Sequence, residues 1–188
     1  IIIPVVSKGD RFPELTVETY SREMHCIRDG QDAKHTVFWG MRFIGCRFLP
    51  DDIDELAEQY GRFSERDTQV MVVLQSSRES TNGLKGETRA PFSVICDTDH
   101  AFYKALDVRA AATRENRMPK AEEDKAIFNI KRLPQGKKHS QRTDEGEVQQ
   151  LPALFIVDHN RKIEYAHYAV NSGDIPELDE MLRLVEKR

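Results

Sequence analysis

The sequence predicts an α/β domain with a mixed β-sheet, helices on both faces of that sheet and an N-terminal β-hairpin. Three observations support this fold class: apolar runs of buried-strand length recur along the chain, amphipathic stretches lie between them, and the last two strand-like runs precede one closing helix. With 188 residues the chain is long enough to bury a full core. We therefore expect a single domain over residues 1–188.

The N-terminal region has the pattern of a hairpin. Phe12–Val17 and Glu23–Ile27 alternate loosely between apolar and polar residues, and Asp29-Gly30 follows as a turn signal. We expect two short antiparallel strands here, in front of the main sheet.

The middle of the chain alternates between strands and helices. Thr36–Phe43 is β-branched and aromatic, which is typical of a strand buried on both faces, and Gln69–Leu74 and Phe92–Cys96 are further strand-like runs. A helix is predicted after the first strand, because apolar residues recur there at steps of three and four: Leu49, Ile53, Leu56, Tyr60 and Phe63. Ala101–Leu106 predicts a shorter helix. This order favours parallel pairing of the three strands.

The C-terminal part predicts a strand over Leu151–Asp158, an antiparallel strand over Lys162–Ala169 and an amphipathic helix over Pro176–Val185. Residues 109–150, which precede it, differ in character. They are rich in charge and their apolar residues are scattered, so we interpret them as an insertion and not a second domain. Within them, Glu122–Ile130 is expected to form a helix.

Composition and charge narrow the function classes. The net charge is -4 and the pI is near 5.9, which gives no basis for a nucleic-acid partner or an anionic membrane surface. No apolar run approaches the roughly 18–20 residues needed to span a bilayer. The three cysteines are odd in number and widely spaced, which argues against a disulfide framework and favours reduced thiols in the cytoplasm. Neither a metal site nor a cofactor is predicted.

One cysteine stands where a strand is expected to turn into a helix. Gly45 allows a tight turn there, and Cys46 then falls at the helix N-terminus, where unpaired backbone N–H groups and the helix dipole favour an anion. Arg42 and Arg47 are near in sequence and add positive charge. A thiol in such a position has a depressed pKa, and its thiolate is a nucleophile. The sequence therefore predicts Cys46 as a reactive thiol.

At these residues the chain resembles the thioredoxin superfamily, and within it the peroxiredoxin-like branch of alkyl hydroperoxide reductase C and thiol-specific antioxidant proteins. The resemblance rests on the strand–Gly45-Cys46–helix arrangement, the two strands that follow it, and Leu151–Asp158 with its closing hairpin and helix. It implies a thioredoxin-like fold and an antioxidant, thiol-dependent oxidoreductase.

The resemblance also implies roles for particular residues. Cys46 would attack a peroxide and become a sulfenic acid, which a second thiol would then resolve. An external thiol reductant is the expected source of that second thiol, and Cys96, at the end of a predicted strand, is the other candidate. No cofactor is implied, and dimerisation in the family leaves a homodimer open.

The chain departs from the family at several positions. Trp39 and Phe43 stand where peroxiredoxins carry the Pro and Thr of their Pro-x-x-x-Thr-x-x-Cys motif, and Leu49 stands where a thioredoxin has its second cysteine. Pro152 occupies the position of the family's Arg. Thioredoxins keep a cis-proline there, so the resemblance implies a cis peptide bond at Pro152 and a role in shaping the surface around Cys46.

Two alternative functions remain open at this stage. A monothiol reductase that acts on disulfides or is linked to glutathione would also need only one cysteine. A catalytically quiet thioredoxin-fold module that binds a partner, through residues 109–150, would explain the missing peroxiredoxin residues. The Cys46 pKa separates the quiet module from both enzymes.

Overall fold

The computed structural model describes residues 6–21, 24–43, 49–81, 91–131 and 146–186, and for residues 49–51 and 129–131 the description is limited to the backbone. Within these ranges, none of the helices is both long enough and apolar enough to cross a membrane.

The chain begins with the predicted hairpin. Strands β1 (Leu15–Glu18) and β2 (Met24–Ile27) pair in antiparallel register, with Leu15 opposite Ile27. The hairpin forms a sheet of its own, and one isolated bridge from Thr19 to Ile95 links its end to the main sheet. The N-terminal β-hairpin of the predicted fold is therefore confirmed.

The remaining elements follow the predicted order. The first set contains β3 (His35–Gly40), α1 (Leu49–Ser64), β4 (Thr68–Leu74), α2 (Arg78–Thr81), β5 (Ser93–Cys96) and α3 (Ala101–Ala105). The second set contains α4 (Arg114–Arg117), α5 (Lys120–Lys131), β6 (Ala153–Asp158), β7 (Ile163–Tyr168) and α6 (Leu178–Glu186).

The five strands β3 to β7 form one mixed sheet in the order β5-β4-β3-β6-β7. Strand β3 is central: it pairs in parallel with β4, Val37 facing Val70, and antiparallel with β6, Val37 facing Ile156. β5 extends the parallel half and β7 the antiparallel half. The parallel strands therefore end together at one edge of the sheet, where α/β proteins place their reactive groups.

Both faces of the sheet are covered by helices, as predicted. One core cluster joins alternate strand residues such as Trp39 and Val72 to α1 and α6, through Leu56 and Leu182. The cluster on the opposite face contains the intervening residues of the strands together with Phe102 of α3 and the hairpin. Alternation of side chains along each strand explains why each strand contributes to both clusters.

The described parts of the 109–150 segment pack against the domain at both of its ends. Ala110 forms an isolated β-bridge with Gln150, and the buried Arg117 accepts a hydrogen bond at its carbonyl from the Ser172 N–H at 2.7 Å. Met118, next in sequence, is also buried. Helix α5 matches the predicted helix at Glu122–Ile130, extended by two residues at its start and one at its end.

Candidate functional site

The carboxyl end of β3 continues as a buried, non-strand segment. The sequence predicts a strand to Phe43, but β3 ends at Gly40, and Met41, Arg42 and Phe43 lie outside it while staying buried. Their backbone still follows β4: the Met41 N–H donates to the Val73 carbonyl at 2.9 Å, and the Arg42 carbonyl accepts from the Gln75 N–H at 2.8 Å. These hydrogen bonds hold residues 41–43, which directly precede residues 44–48 in the sequence.

A buried tyrosine holds the ends of β3 and β4 together. The Tyr103 hydroxyl donates to the Met41 carbonyl and lies 3.1 Å from the Val73 carbonyl. Asp97 positions that tyrosine by capping α3, since its carboxylate accepts from the backbone N–H groups of Phe102 and Tyr103 at 3.1–3.3 Å. Burial raises the pKa of the Asp97 carboxyl, and these backbone N–H groups oppose that shift.

The Arg42 guanidinium is fixed beside this edge. Arg42 is only 9% exposed, and its Nη2 donates to the Val148 carbonyl at 2.5 Å. The guanidinium carbon also lies 4.9 Å from the centre of the Phe43 ring, within cation–π range. A cation is therefore held at the end of β3, only four residues before Cys46 in sequence.

A cavity of about 470 Å³ opens next to this cation. Arg42, Trp39 and Met41 line it from β3 and the segment that follows. Its other walls come from α1, from Met118 and α5, from Pro152 before β6, and from the loop that leads into α6. This volume is in the range of small-molecule sites and exceeds what a molecule of hydrogen peroxide fills.

The cavity brings together two of the predicted site residues, Arg42 and Pro152. Gly45, Cys46 and Arg47 lie outside the described residues, in the five-residue link from Phe43 to Leu49, the first residue of α1. Both flanks of that link reach the cavity, through Arg42 on one side and Asp52 on the other.

The expected cis bond at Pro152 is wrong, because the described residues contain no cis peptide bond. The trans form of an X–Pro bond is favoured by roughly 0.5–1 kcal/mol unless its surroundings select cis. Two hydrogen bonds fix the residues before Pro152: the Leu151 N–H donates to the Arg109 carbonyl at 3.3 Å, and Gln150 Nε2 donates to the Leu151 carbonyl at 3.1 Å. Both hydrogen bonds form while the Leu151–Pro152 peptide bond is trans.

Cys96 ends β5, at the same edge of the sheet, as predicted. Strand β4 separates β5 from β3, so Cys96 lies two strand spacings, or roughly 10 Å, from strand β3. Cys96 is 6% exposed, and burial raises the pKa of its thiol, although the Thr81 hydroxyl 3.9 Å away lowers it somewhat. Cys26 is a free, exposed thiol on the hairpin and does not line the cavity.

Several cavity residues were not predicted. Met118, Glu122 and Lys125 come from the charged segment that the sequence suggested was outside the core, and Ser172 comes from the loop before α6. No spacing pattern marks them, because they meet only through tertiary packing. In the described part of the chain, no three His, Cys, Asp or Glu side chains cluster closely enough to hold a metal ion.

Together the mixed sheet and the helices that cover its two faces define a thioredoxin-like fold, with a cavity at the carboxyl end of β3. A family model for AhpC/TSA antioxidant enzymes matches residues 55–171, which is more than half of the chain. The chain belongs to the AhpC/TSA antioxidant enzyme family. Membership confirms the predicted thiol-dependent antioxidant oxidoreductase, but the matched region begins after Cys46, so it does not identify the working cysteine.

Solved structures share the fold at low sequence identity. A peroxiredoxin-like protein from Aquifex aeolicus is 15% identical, with a TM-score of 0.67 over 98% of this chain and 88% of that chain. A yeast mitochondrial 1-Cys peroxiredoxin is 12% identical, with a TM-score of 0.67 over 97% and 76% of the two chains.

Peroxidoxin BcpB from Mycobacterium tuberculosis is 11% identical, with a TM-score of 0.65 over 96% of this chain and 97% of that chain. No curated protein sequence matches the chain. At these identities the structural matches establish the fold, and the thioredoxin-like architecture expected from the sequence is confirmed.

Proposed function

We propose that Cys46 is the thiol that reduces peroxide in this protein. The observation that carries the proposal is the cavity at the carboxyl end of β3, which is lined by both Arg42 and Pro152, the residues expected beside Cys46. Cys46 is four residues from Arg42 and six from Asp52, another lining residue. Since each residue spans at most about 3.6 Å, the chain keeps Cys46 within about 15 Å of the Arg42 backbone.

The chemistry follows from a thiolate next to a fixed cation. The Cys46 thiolate attacks the outer oxygen of a peroxide, an S–O bond forms, the O–O bond breaks, and the alcohol or water leaves after taking up a proton. The cysteine is oxidised to a sulfenic acid and the peroxide is reduced. Arg42 and the backbone N–H groups at the start of α1 stabilise the attacking anion and the developing oxyanion.

We propose that an external thiol returns oxidised Cys46 to its reduced state. Cys96 is the internal candidate, but its thiol is buried, has a raised pKa and lies two strands from β3. A buried thiol with a raised pKa has little thiolate at neutral pH and attacks slowly. We therefore propose a one-cysteine cycle in which a reducing thiol from solution resolves the sulfenic acid.

Further aspects of this proposal rest on the sequence and fold. We propose a single domain over residues 1–188, in which residues 109–150 are an insertion that contributes Met118, Glu122, Lys125 and Ala126 to the cavity. A cytoplasmic location is supported by Cys26 and Cys96, which are both free thiols. A peroxide substrate, a reducing thiol and a homodimer are the partners that the family suggests.

A second candidate function is a monothiol disulfide reductase. It is favoured by the cavity volume of about 470 Å³, which admits an organic disulfide, and by Phe43, which is 1% exposed and offers no hydroxyl to orient a peroxide. This candidate predicts a stable mixed disulfide at Cys46 with glutathione and slow peroxide turnover, which the peroxidase does not.

A sulfenic-acid trap tests the proposed function. After brief treatment with peroxide, mass spectrometry with a dimedone-type probe should find the label on Cys46 well before it appears on Cys26 or Cys96. The exposed Cys26 is the internal control for simple accessibility. Labelling of Cys46 no faster than Cys26 would rule out the assignment.

A further inference from the structure

A histidine on the inner face of the N-terminal hairpin has one ring nitrogen shielded from water. His25 of β2 stands opposite Val17 of β1, and its Nε2 atom is buried with no hydrogen-bond partner among the described residues. Ile27, two residues further along β2, lies on the same face of the strand. Val17 and Ile27 are 5% and 0% exposed and belong to the core cluster that contains Phe102. The imidazole therefore shares its face of the hairpin with core side chains.

The contacts of the ring fit a neutral imidazole. Gln31 forms a side-chain hydrogen bond with His25. The Gln31 amide nitrogen already donates to the carbonyls of Cys26 and Arg28, at 3.4 Å and 2.8 Å, so its amide oxygen is left to accept from the ring. Since Nε2 has no partner, the donor to that oxygen is Nδ1–H, and Nε2 carries only a lone pair.

A second proton on this ring has no acceptor in its surroundings. Protonated Nε2 would be a buried donor without a partner among the described residues, which costs free energy. Burial accordingly lowers the pKa of His25, while Gln31 and the Asp32 carboxylate oppose that shift. On β1, the residues opposite and diagonal to His25 are Leu15, Val17 and Thr19, and none of the three titrates.

The charged groups that face the hairpin from other elements form ion pairs with its own carboxylates. Arg78 of α2 lies 2.9 Å from Glu18, and Arg161, between β6 and β7, lies 3.1 Å from Glu14 and 2.8 Å from Asp29. Arg11 also pairs with Asp29. None of these ion pairs contributes to the shift of the His25 pKa.

From the buried Nε2 atom and the core side chains that share its face, we propose that protonation of His25 opens the outer half of the hairpin. The outer half consists of Val17–Glu18 on β1 and Met24–His25 on β2, which pair with each other. Opening brings the imidazolium into water, where both of its N–H groups find partners. The device lies outside the cavity and does not involve Cys46, so it is independent of the proposed function.

The opening affects one edge of the main sheet. Thr19 and Tyr20 directly follow β1, and they cover the outer strand β5: Thr19 bridges Ile95, and the Tyr20 N–H donates to the Val94 carbonyl at 2.9 Å. Loosening β1 therefore loosens this cover and leaves backbone groups of β5 open to another strand.

The direction of the pH dependence follows from the lowered pKa. The open hairpin takes up the proton at the ordinary histidine value of about 6.5, whereas the closed hairpin takes it up only at lower pH. The opening equilibrium is therefore constant above that ordinary value. It rises as the pH falls below it, and it levels off below the lowered pKa of the closed form.

Hydrogen exchange followed by mass spectrometry tests the proposal. Protection factors, corrected for the intrinsic exchange rate at each pH, are compared between about pH 7.5 and about pH 5, on either side of the histidine value. We expect protection of the peptide over residues 15–27 to fall at least about threefold, and protection of β3 and β6 to stay constant.

Two matched variants assign the effect to one ring. His25→Asn keeps an N–H at the position of Nδ1 and cannot titrate, so the fall in hairpin protection should disappear. It leaves Asp32 and all the ion pairs of the hairpin in place. His159→Asn makes the same change at an exposed histidine in the turn between β6 and β7, and should respond to pH like the unmodified chain.

Hairpin protection that is constant with pH, or that falls equally in His25→Asn, would overturn the proposal. An equal fall in β3 and β6 would also overturn it, because the whole domain would then be unfolding. A second measurement uses the unmodified chain: NMR titration of the ring protons should place His25 below the ordinary ~6.5. A ring that titrates at or above that value would contradict the proposal as well.

Discussion

Replacing Cys46 by serine is expected to reduce thiol-dependent peroxide consumption to the rate seen without protein. The hydroxyl of serine is a far weaker nucleophile than a thiolate and cannot form a sulfenic acid, so we expect a loss of at least about 100-fold. Peroxide consumption in the presence of a reducing thiol is the measurement, and circular dichroism establishes that the variant is folded.

Cys26→Ser is the matched control for this substitution. It makes the same chemical change at an exposed thiol on the hairpin, away from the cavity, and should keep full turnover. If the Cys46 variant consumes peroxide as fast as the Cys26 variant does, then another group carries the activity.

Replacing Phe12 by alanine is expected to lower the free energy of unfolding by about 3–5 kcal/mol. Phe12 is fully buried and stacks on Phe38 of β3, with 4.6 Å between ring centres. Its ring also meets Phe155 of β6 edge-on at 5.8 Å. The substitution therefore opens a cavity between the N-terminal region and the central strands. Urea-induced unfolding followed by tryptophan fluorescence measures the loss.

Met24→Ala provides the comparison, because Met24 lies in the same N-terminal region but is 63% exposed. We expect its effect to stay within about 0.5 kcal/mol. The Phe12 result also tests the single-domain proposal. A loss below about 1 kcal/mol, or a separate early transition, would mean that the N-terminal region does not unfold together with the sheet.

The sheet and its helices were predictable because their signals are local. An apolar run such as Gln69–Leu74 can be buried on both faces only inside a sheet, and the steps of three and four after Leu49 fit only a helix. Strand ends were less predictable. Met41–Phe43 is as apolar as a strand and is buried like one, but its backbone has already left the ladder with β6.

The candidate site was predictable only in part, because its walls come from distant parts of the sequence. Arg42 and Pro152 could be anticipated from their positions beside two strands. Met118 and Ser172 could not, because a methionine in a charged segment and a serine in a loop carry no periodic signal. The trans bond at Pro152 differs from the expectation because that expectation came from a family resemblance and from no property of the neighbouring residues.

The pKa of the Cys46 thiol is the most direct test of whether this cysteine is the activated one. It can be measured from the pH dependence of thiolate absorbance or of the alkylation rate, in a chain that carries Cys26→Ser. In the site that we propose, a helix N-terminus and Arg42, four residues earlier in the sequence, both favour the thiolate, so we expect a pKa clearly below the ~8.5 of an unperturbed thiol. A value at or above ~8.5 would contradict an activated thiol and would favour a catalytically quiet thioredoxin-fold module.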